Sequence, residues 1–435
     1  MVAFASAPAQ NTKTELDVCL GKVGMPVGKL VFVRNGPRMF SQFAYFQSWL
    51  EDKETFSVSP DLVSTPVYQT RKPPAREDSR FFLAMGDTEP DAWGRRVISR
   101  AHAKRRQDDR SLGALTELDY LCAVDDFSRI GALRLRDSRG TFLQSVQAGK
   151  RATPPMLELE KMLVSSQAVE RGTETAEDLR YLQGKGTSLG GMRPKCSILD
   201  EHGFLALGKF PSIQDERNVT RAEVLALKLA TLAGINAADA HISVVQNIPV
   251  AVIRRFDRAA QDSRIPYMSG ASLIQASRMN EHAYTEVLDQ MKGACANYVD
   301  DARQLWRRLV FNHLITNVDD HLQNIGFLYM GNKQWQLSPA FDINPMPEKD
   351  RESKTWLSED TGPITSMAQL MSQSSRFSLN NDQALAIVQQ VVAAVLQWRK
   401  VGQSADVGMT SQELSEFDLA FEHSDLDDAK KLAAR

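Results

Sequence analysis

Short apolar runs broken by turn signals open the chain. Leu30-Val31-Phe32-Val33 runs into Arg34-Asn35-Gly36, a strand followed by an Asn-Gly hairpin turn, and residues 16–50 repeat that texture. A small β-rich unit is expected there. The polar, proline-bearing stretch 70–79 predicts a loop. Gly86-Asp87-Thr88-Glu89-Pro90 then predicts a helix start with Asp87 or Thr88 as cap, the helix running through Trp93, Val97 and Ile98 into the basic Lys104-Arg105-Arg106. A second polar stretch, 147–155, predicts a domain boundary. Beyond it strands and helices alternate. Residues 195–199 and 204–210 flank Asp200-Glu201-His202-Gly203 as a hairpin, 220–233 reads as a helix stopped by Gly234, and 250–256 as a strand. Leu305, Leu309, Val310, Leu314 and Ile315 recur at helical spacing and predict a buried helix up to Thr316. A hairpin turning at Gly331-Asn332 follows, then a helix over 380–400 and an acidic, polar one over 410–435.

The chain has 435 residues, enough for two to four compact units at roughly 100–200 residues each. With 43% apolar and 24% charged residues, a mainly disordered or collagen-like chain is excluded. The balance of 52 basic against 54 acidic residues argues against a protein whose whole surface grips nucleic acid. Cys19, Cys122, Cys196 and Cys295 are far apart without a CxxC pair, as expected of free thiols in a reducing compartment. No run approaches the ~18–20 apolar residues of a membrane helix. The opening lacks the basic start of a secretory signal. The expectation is a cytoplasmic protein with no membrane partner.

Chemistry concentrates in Asn317-Val318-Asp319-Asp320-His321-Leu322-Gln323-Asn324, a polar cluster between a buried helix and a strand. Asp342 follows 18 positions after Asn324. Phosphoryl transfer from ATP needs a carboxylate to orient or deprotonate the attacking hydroxyl, plus a carboxamide and a second carboxylate to hold magnesium over the phosphates. Asp319, Asn324 and Asp342 supply these in the order protein kinases use. The rival reading is a turn whose Asn and Asp only satisfy backbone groups. Upstream, Gly184 to Lys195 includes Gly190-Gly191-Met192-Arg193-Pro194-Lys195. That segment reads either as a plain turn or as a phosphate cradle in which Lys195 neutralises charge. It is not a Walker A sequence. Lys209 is either a solvated strand end or a cation for the α/β-phosphates. Glu223 is either its ion-pair partner or part of a Thr220-x-x-Glu223 capping box. Arg254, Arg255 and Phe256 end a strand where backbone groups could read an adenine edge. His321 is singled out as loop-positioning or nucleotide-contacting, whereas His313 reads as core.

Taken together, these segments resemble the HipA family of bacterial serine/threonine kinases, the toxin halves of type II toxin–antitoxin pairs. The resemblance covers most of the chain. It is carried by Gly28-Lys29-Leu30, Asp87-Thr88-Glu89-Pro90-Asp91-Ala92-Trp93-Gly94-Arg95-Arg96 and Arg129-Ile130-Gly131-Ala132-Leu133-Arg134. In the second half it is carried by Ser188 to Lys195, Arg255-Phe256-Asp257-Arg258, Asp319 to Asn324 and Ser338-Pro339-Ala340-Phe341-Asp342. It implies an α+β chain with a protein-kinase-like bilobal fold and a mostly helical C-lobe. A β-rich N-terminal module over 16–148 would precede an N-lobe over 155–256 and a C-lobe over 257–435. Asp319 is then the general base, Asn324 and Asp342 the Mg2+ ligands, Lys209 the ATP lysine, 190–195 the phosphate loop and 254–256 the hinge.

The resemblance also implies autophosphorylation of Ser188, where a phosphate of about −1.5 to −2 charge would exclude the nucleotide's own phosphates. An aminoacyl-tRNA synthetase is the substrate it suggests, and a small helix-turn-helix antitoxin the partner, with operator DNA reached through that partner. Arg254 departs from the glutamate many members carry, and the phosphate loop is bulkier and more basic than in many. The alternative function is a kinase-shaped corepressor that mainly holds an antitoxin on DNA.

Overall fold

The computed structural model describes residues 11–73, 75, 78–145, 156–183, 191–259 and 263–434. The boundary expected at 147–155 lies outside these residues. The N-terminal part is a five-stranded antiparallel sheet in the order β4-β3-β2-β1-β5, formed by β1 (Thr12–Leu20), β2 (Met25–Asn35), β3 (Arg38–Tyr45), β4 (Gln69–Thr70) and β5 (Leu133–Arg136). The hairpin is where the sequence put it, but its loop is Gly36-Pro37. Asn35 still pairs with Arg38, and Gly36 takes φ +60°. A type II′ turn wants glycine first and a negative φ second, which proline supplies.

Helix α1 (Ala92–Asp108) is capped by Asp91, which accepts from Gly94 N at 2.7 Å, rather than by Asp87 or Thr88. Pro90 therefore stays outside the helix. Asp87 is drawn instead to Ser269, accepting from its N–H and its hydroxyl at 2.8 Å each. Thr88 is buried under Arg129.

The second sheet has the order β6-β7-β9-β8, with β6 (Lys195–Leu199), β7 (Leu205–Lys209), β8 (Ala240–Val245) and β9 (Ile248–Arg254). Helix α2 (Leu159–Arg171) packs Leu159, Met162 and Leu163 on one side of it. Helix α3 (Ala176–Gln183) packs with α1, so that Trp93, Val97 and Ala101 share a cluster with Val169, Leu179 and Leu182. Helix α4 (Val219–Leu232) starts at Asn218, which caps Arg221 N; Thr220 lies inside it and forms no capping box.

The C-terminal half centres on α5 (Tyr284–Ala294), α6 (Tyr298–Leu314) and α7 (Asn381–Val395), with a small sheet of β10 (Tyr267–Ser269), β11 (Gly326–Gly331) and β12 (Gln334–Leu337). Its β11–β12 turn is Asn332-Lys333, both at positive φ. Residues 411–433 form three short helices rather than one polar helix. Phe417 and Phe421 there are core residues, Phe421 stacking on Trp398 at 4.6 Å, and burying both breaks a single helical axis.

One apolar cluster runs from the N-terminal sheet into this half. Phe56 stacks on Tyr329 with ring centroids 3.9 Å apart. Such a pair adds about 0.5–1.5 kcal/mol to the area it buries. The three cysteines Cys19, Cys196 and Cys295 are buried, Cys122 is half-buried, and all four are free thiols. No helix among the described residues is long and apolar enough to cross a membrane.

Candidate active site

Lys209 closes β7, and the antiparallel pairing with β6 and β9 fixes where its side chain leaves the sheet. Its Nζ lies 2.6 Å from Glu223 Oε1 on α4 and 2.7 Å from Asp342 Oδ1. One cation therefore joins three elements. Burial alone would strip the lysine's proton, but the two carboxylates outweigh it and raise the pKa above the ordinary lysine value. Burial would likewise raise Asp342. The Lys209 charge and hydrogen bond, with Lys195 and Asn344, outweigh burial and hold Asp342 down to about 2. Glu223 is the opposite case: burial prevails over Lys209 and pushes it up. Asp342 sits at φ +54°, a left-handed conformation strained for a residue with a Cβ, and Asn344 Nδ2 donates to its Oδ1 at 3.1 Å.

Helix α6 ends at Leu314, and Thr316 at φ +54° turns the chain into the polar cluster. Asp320 is its anchor. Its buried carboxylate accepts from Tyr284 Oη at 2.7 Å and from Lys354 N at 2.8 Å. Burial pushes its pKa up to about 6 against those hydrogen bonds. The neighbouring Asp319 is left half-exposed, 3.1 Å from Lys354 Nζ. Asn324 Nδ2 donates to the Asp319 carbonyl at 3.1 Å, and no hydrogen bond engages its own side-chain oxygen among the described residues. His321 Nδ1 is buried and lacks a partner among the described residues, and burial lowers the pKa of the ring.

These groups face a cleft of about 1170 Å³. Gly191, Lys209, Arg254, Arg255, Phe256, His321, Asn324 and Asp342 line it; Glu223 stands behind Lys209, and Asp319, not itself a lining residue, pairs with the lining residue Lys354. The other loop residues lie elsewhere. Met192 is exposed, Arg193 pairs with Asp215, and Pro194 accepts from Phe210 N. Lys195, expected to meet phosphate, is buried with its Nζ 2.9 Å from Asp91. Trp93 N donates to Gly191 O, so the start of α1 holds both ends of segment 191–195. Ser188 and Gly190 lie outside the described residues.

Segment 254–256, expected to be the hinge, has only part of its backbone open. Arg254 N donates to Asp239 O and Arg255 N to Leu205 O, whereas Phe256 N has no partner among the described residues. The Arg254 side chain lies over the Phe204 ring at 3.8 Å. The strand end is held from outside by the N-terminal part. Asp257 accepts from Gly131 N at 2.7 Å and from Arg255 and Arg258, while Arg258 donates to the carbonyls of Phe127, Arg129 and Gly131. Ile130 thereby lines the cleft beside Ile253 and Phe256. Gly131 has φ +68°, and a Cβ there would stand 3.1 Å from the Cβ and N of Tyr267. Gly131→Ala is expected to cost about 1–3 kcal/mol, read as a lower midpoint in urea.

The sequence named Asp257, Asp320 and Ile130 only as members of motifs, and Lys354 not at all. A run of arginines around one aspartate, Arg254-Arg255-Phe256-Asp257-Arg258, is the signal that could have marked the first. Lys354 meets Asp319 across 35 positions and had none.

Residues 187–399 match the HipA-like C-terminal domain. This segment, just under half of the chain, is a HipA-like C-terminal domain. The fold of the chain follows that of Shewanella oneidensis MR-1 HipA, whose structure was solved with HipB and operator DNA; the likeness covers 96% of each chain at a TM-score of 0.63 and 13% identity. The chain thus has the α+β, bilobal, kinase-like architecture preceded by a sheet-bearing N-terminal module. The Helicobacter pylori proinflammatory kinase CtkA overlaps 55% of this chain and 93% of its own at a TM-score of 0.42 and 16% identity. A Haemophilus influenzae protein described as "Putative kinase" is 28% identical over 109 residues, 22% of this chain. The match spans 32% of that relative's length.

Proposed function

We propose that this protein is an ATP- and Mg2+-dependent protein serine/threonine kinase of the cytoplasm. The observation that carries the reading is Lys209 bridging Glu223 and Asp342 at the back of a cleft whose lip holds Asp319 and Asn324. Lys209 would meet the nucleotide's phosphates, Phe256 N and the apolar wall of Leu207, Ile253 and Phe341 would take the base, and the unpartnered His321 Nδ1 would contact the nucleotide. Asp319 would accept the proton of the substrate hydroxyl as that oxygen attacks the γ-phosphorus. Among the described residues no three His, Cys, Asp or Glu side chains cluster as a closed metal cage. Magnesium binds instead through one or two protein oxygens plus phosphates and water. Asp342, ionised near neutral pH, and the open Asn324 side-chain oxygen fit that role. The metal would neutralise charge on the transferring phosphoryl group.

The likeness to the HipA family suggests a growth-arresting toxin role, with a cellular protein such as an aminoacyl-tRNA synthetase as substrate. It also suggests a helix-turn-helix antitoxin partner and operator DNA reached through it, in line with the HipB and operator DNA of the Shewanella complex. Self-silencing at Ser188 belongs to the same reading. Labelled ATP in a lysate is expected to mark one dominant protein besides the kinase itself. Ser188→Ala is expected to remove the main phosphosite from the purified protein, read by mass spectrometry. If another residue carries the phosphate, self-silencing at Ser188 fails; if ATP binds without any transfer, the corepressor reading takes its place.

A further inference from the structure

The cleft contains a cation that the kinase reading leaves unassigned. Lys354 projects from the segment after Asp342, far from Asp319 in sequence, yet its Nζ stands 3.1 Å from Asp319 Oδ1. Both side chains are largely exposed, so as an ion pair they add little to stability. The backbone beneath the lysine is held much more firmly than such a pair would need. Buried Asp320 accepts from Lys354 N and, through its carbonyl, from the Thr355 hydroxyl at 2.8 Å each. Ser353 N donates to Ile364 O, and Trp356 N to His282 O. The lysine thus projects beside Asp319 from a backbone that buried groups fix, which limits the region its ammonium can reach. Lys209, the other lysine lining the cleft, is closed between two carboxylates.

We propose that Lys354 is a second catalytic cation, which binds the phosphoryl group in flight and uses Asp319 as its resting partner. The inference rests on the phosphotransferase reading above. In the step, the substrate hydroxyl oxygen bonds to the γ-phosphorus while the bond to the β–γ bridging oxygen breaks, and that electron pair leaves with ADP. The hydroxyl proton passes to an Asp319 carboxylate oxygen. Asp319 then carries no charge, and the Lys354 ammonium turns from it to the phosphoryl oxygens, where negative charge is spread. Asp320, by holding the lysine's backbone, is a positioning residue.

The test is steady-state phosphate transfer by full-length wild type, Lys354→Met and Lys354→Arg, with nucleotide affinity measured by a fluorescent ATP analogue and folding by thermal melts. Lys354→Met is expected to lower kcat on the order of 10²-fold with nucleotide affinity and melting temperature unchanged, and Lys354→Arg to recover a tenth or more of the wild-type rate. Wild-type kcat in Lys354→Met overturns the proposal. So does a loss explained by weaker nucleotide binding, or an Arg variant no better than Met. A wild type that transfers no phosphate at all removes the kinase reading and this proposal together, whereas an active wild type with an equally active Met variant removes the lysine alone.

Discussion

Asp319→Gln is expected to lower phosphate transfer about 10³-fold or more while the protein still folds. The two halves of that expectation have separate grounds. A positioned general base contributes roughly 10²–10⁴-fold, and a glutamine of nearly the same polarity cannot take the proton. Removing the charge also leaves Lys354 without its partner and misdirects the hydroxyl it would orient, which adds to the loss. Stability should barely change. The Asp319 side chain is half-exposed and its one ion pair is of the exposed kind, worth roughly 0–1 kcal/mol. The backbone carbonyl that Asn324 uses survives the substitution. Initial rates with labelled ATP, alongside a urea titration, check both halves. Transfer above a tenth of the wild-type rate would remove Asp319 as base.

The contrast with Asp320, one position along, explains what the sequence could reveal. The cluster 317–324 was legible because so many polar residues follow a buried helix. Which of two adjacent aspartates is buried and which stays half-exposed was settled by partners 34 to 36 positions away, Lys354 and Tyr284. Lys209 was legible as a strand end, but its choice between solvent and Glu223 was decided by Asn218. That residue caps α4 and so frees Glu223 from any capping role. The same competition moved the cap of α1 from Asp87 to Asp91, because Ser269, 182 residues on, claims Asp87. Local pattern located the hairpins at 30–43, 195–209 and 326–337 and the helices α1, α4 and α6 to within a few residues, but not the three short helices of 411–433. It missed wherever a polar side chain had a tertiary partner stronger than its local one, as with Asp87 and Ser269. The N-terminal part grips the rest at two places: α1 holds segment 191–195, and residues 127–131 hold segment 255–258.

That grip on segment 255–258 sets the second large effect. Asp257 is buried and serves Arg255, Arg258 and the Gly131 N–H at once. Asp257→Asn keeps an acceptor for Gly131 but removes the carboxylate that the buried Arg255 and Arg258 guanidinium groups share. Breaking a buried pair from one side costs about 3–5 kcal/mol, and the retained amide oxygen puts the expected loss near the lower end, about 3 kcal/mol. Because the arginines clamp carbonyls of residues 127–131, segment 255–258 and Ile130 should loosen together, and nucleotide affinity should fall with stability.

The pH dependence gives the sign. Burial alone would raise the Asp257 pKa, but Arg255, Arg258 and the Gly131 N–H outweigh it and hold the carboxyl well below the usual carboxylate range. The unfolded chain therefore takes up the proton more readily than the folded one. The stability from this group is fully present above the unfolded value near 3.9, and is lost as pH falls through the lower folded value. Urea midpoints of wild type and Asp257→Asn should lie furthest apart at pH 7 and 5 and draw together below about pH 4. A gap that stays constant into acid would mean that the variant fails through packing, and that the aspartate's charge does not hold the N-terminal module on segment 255–258.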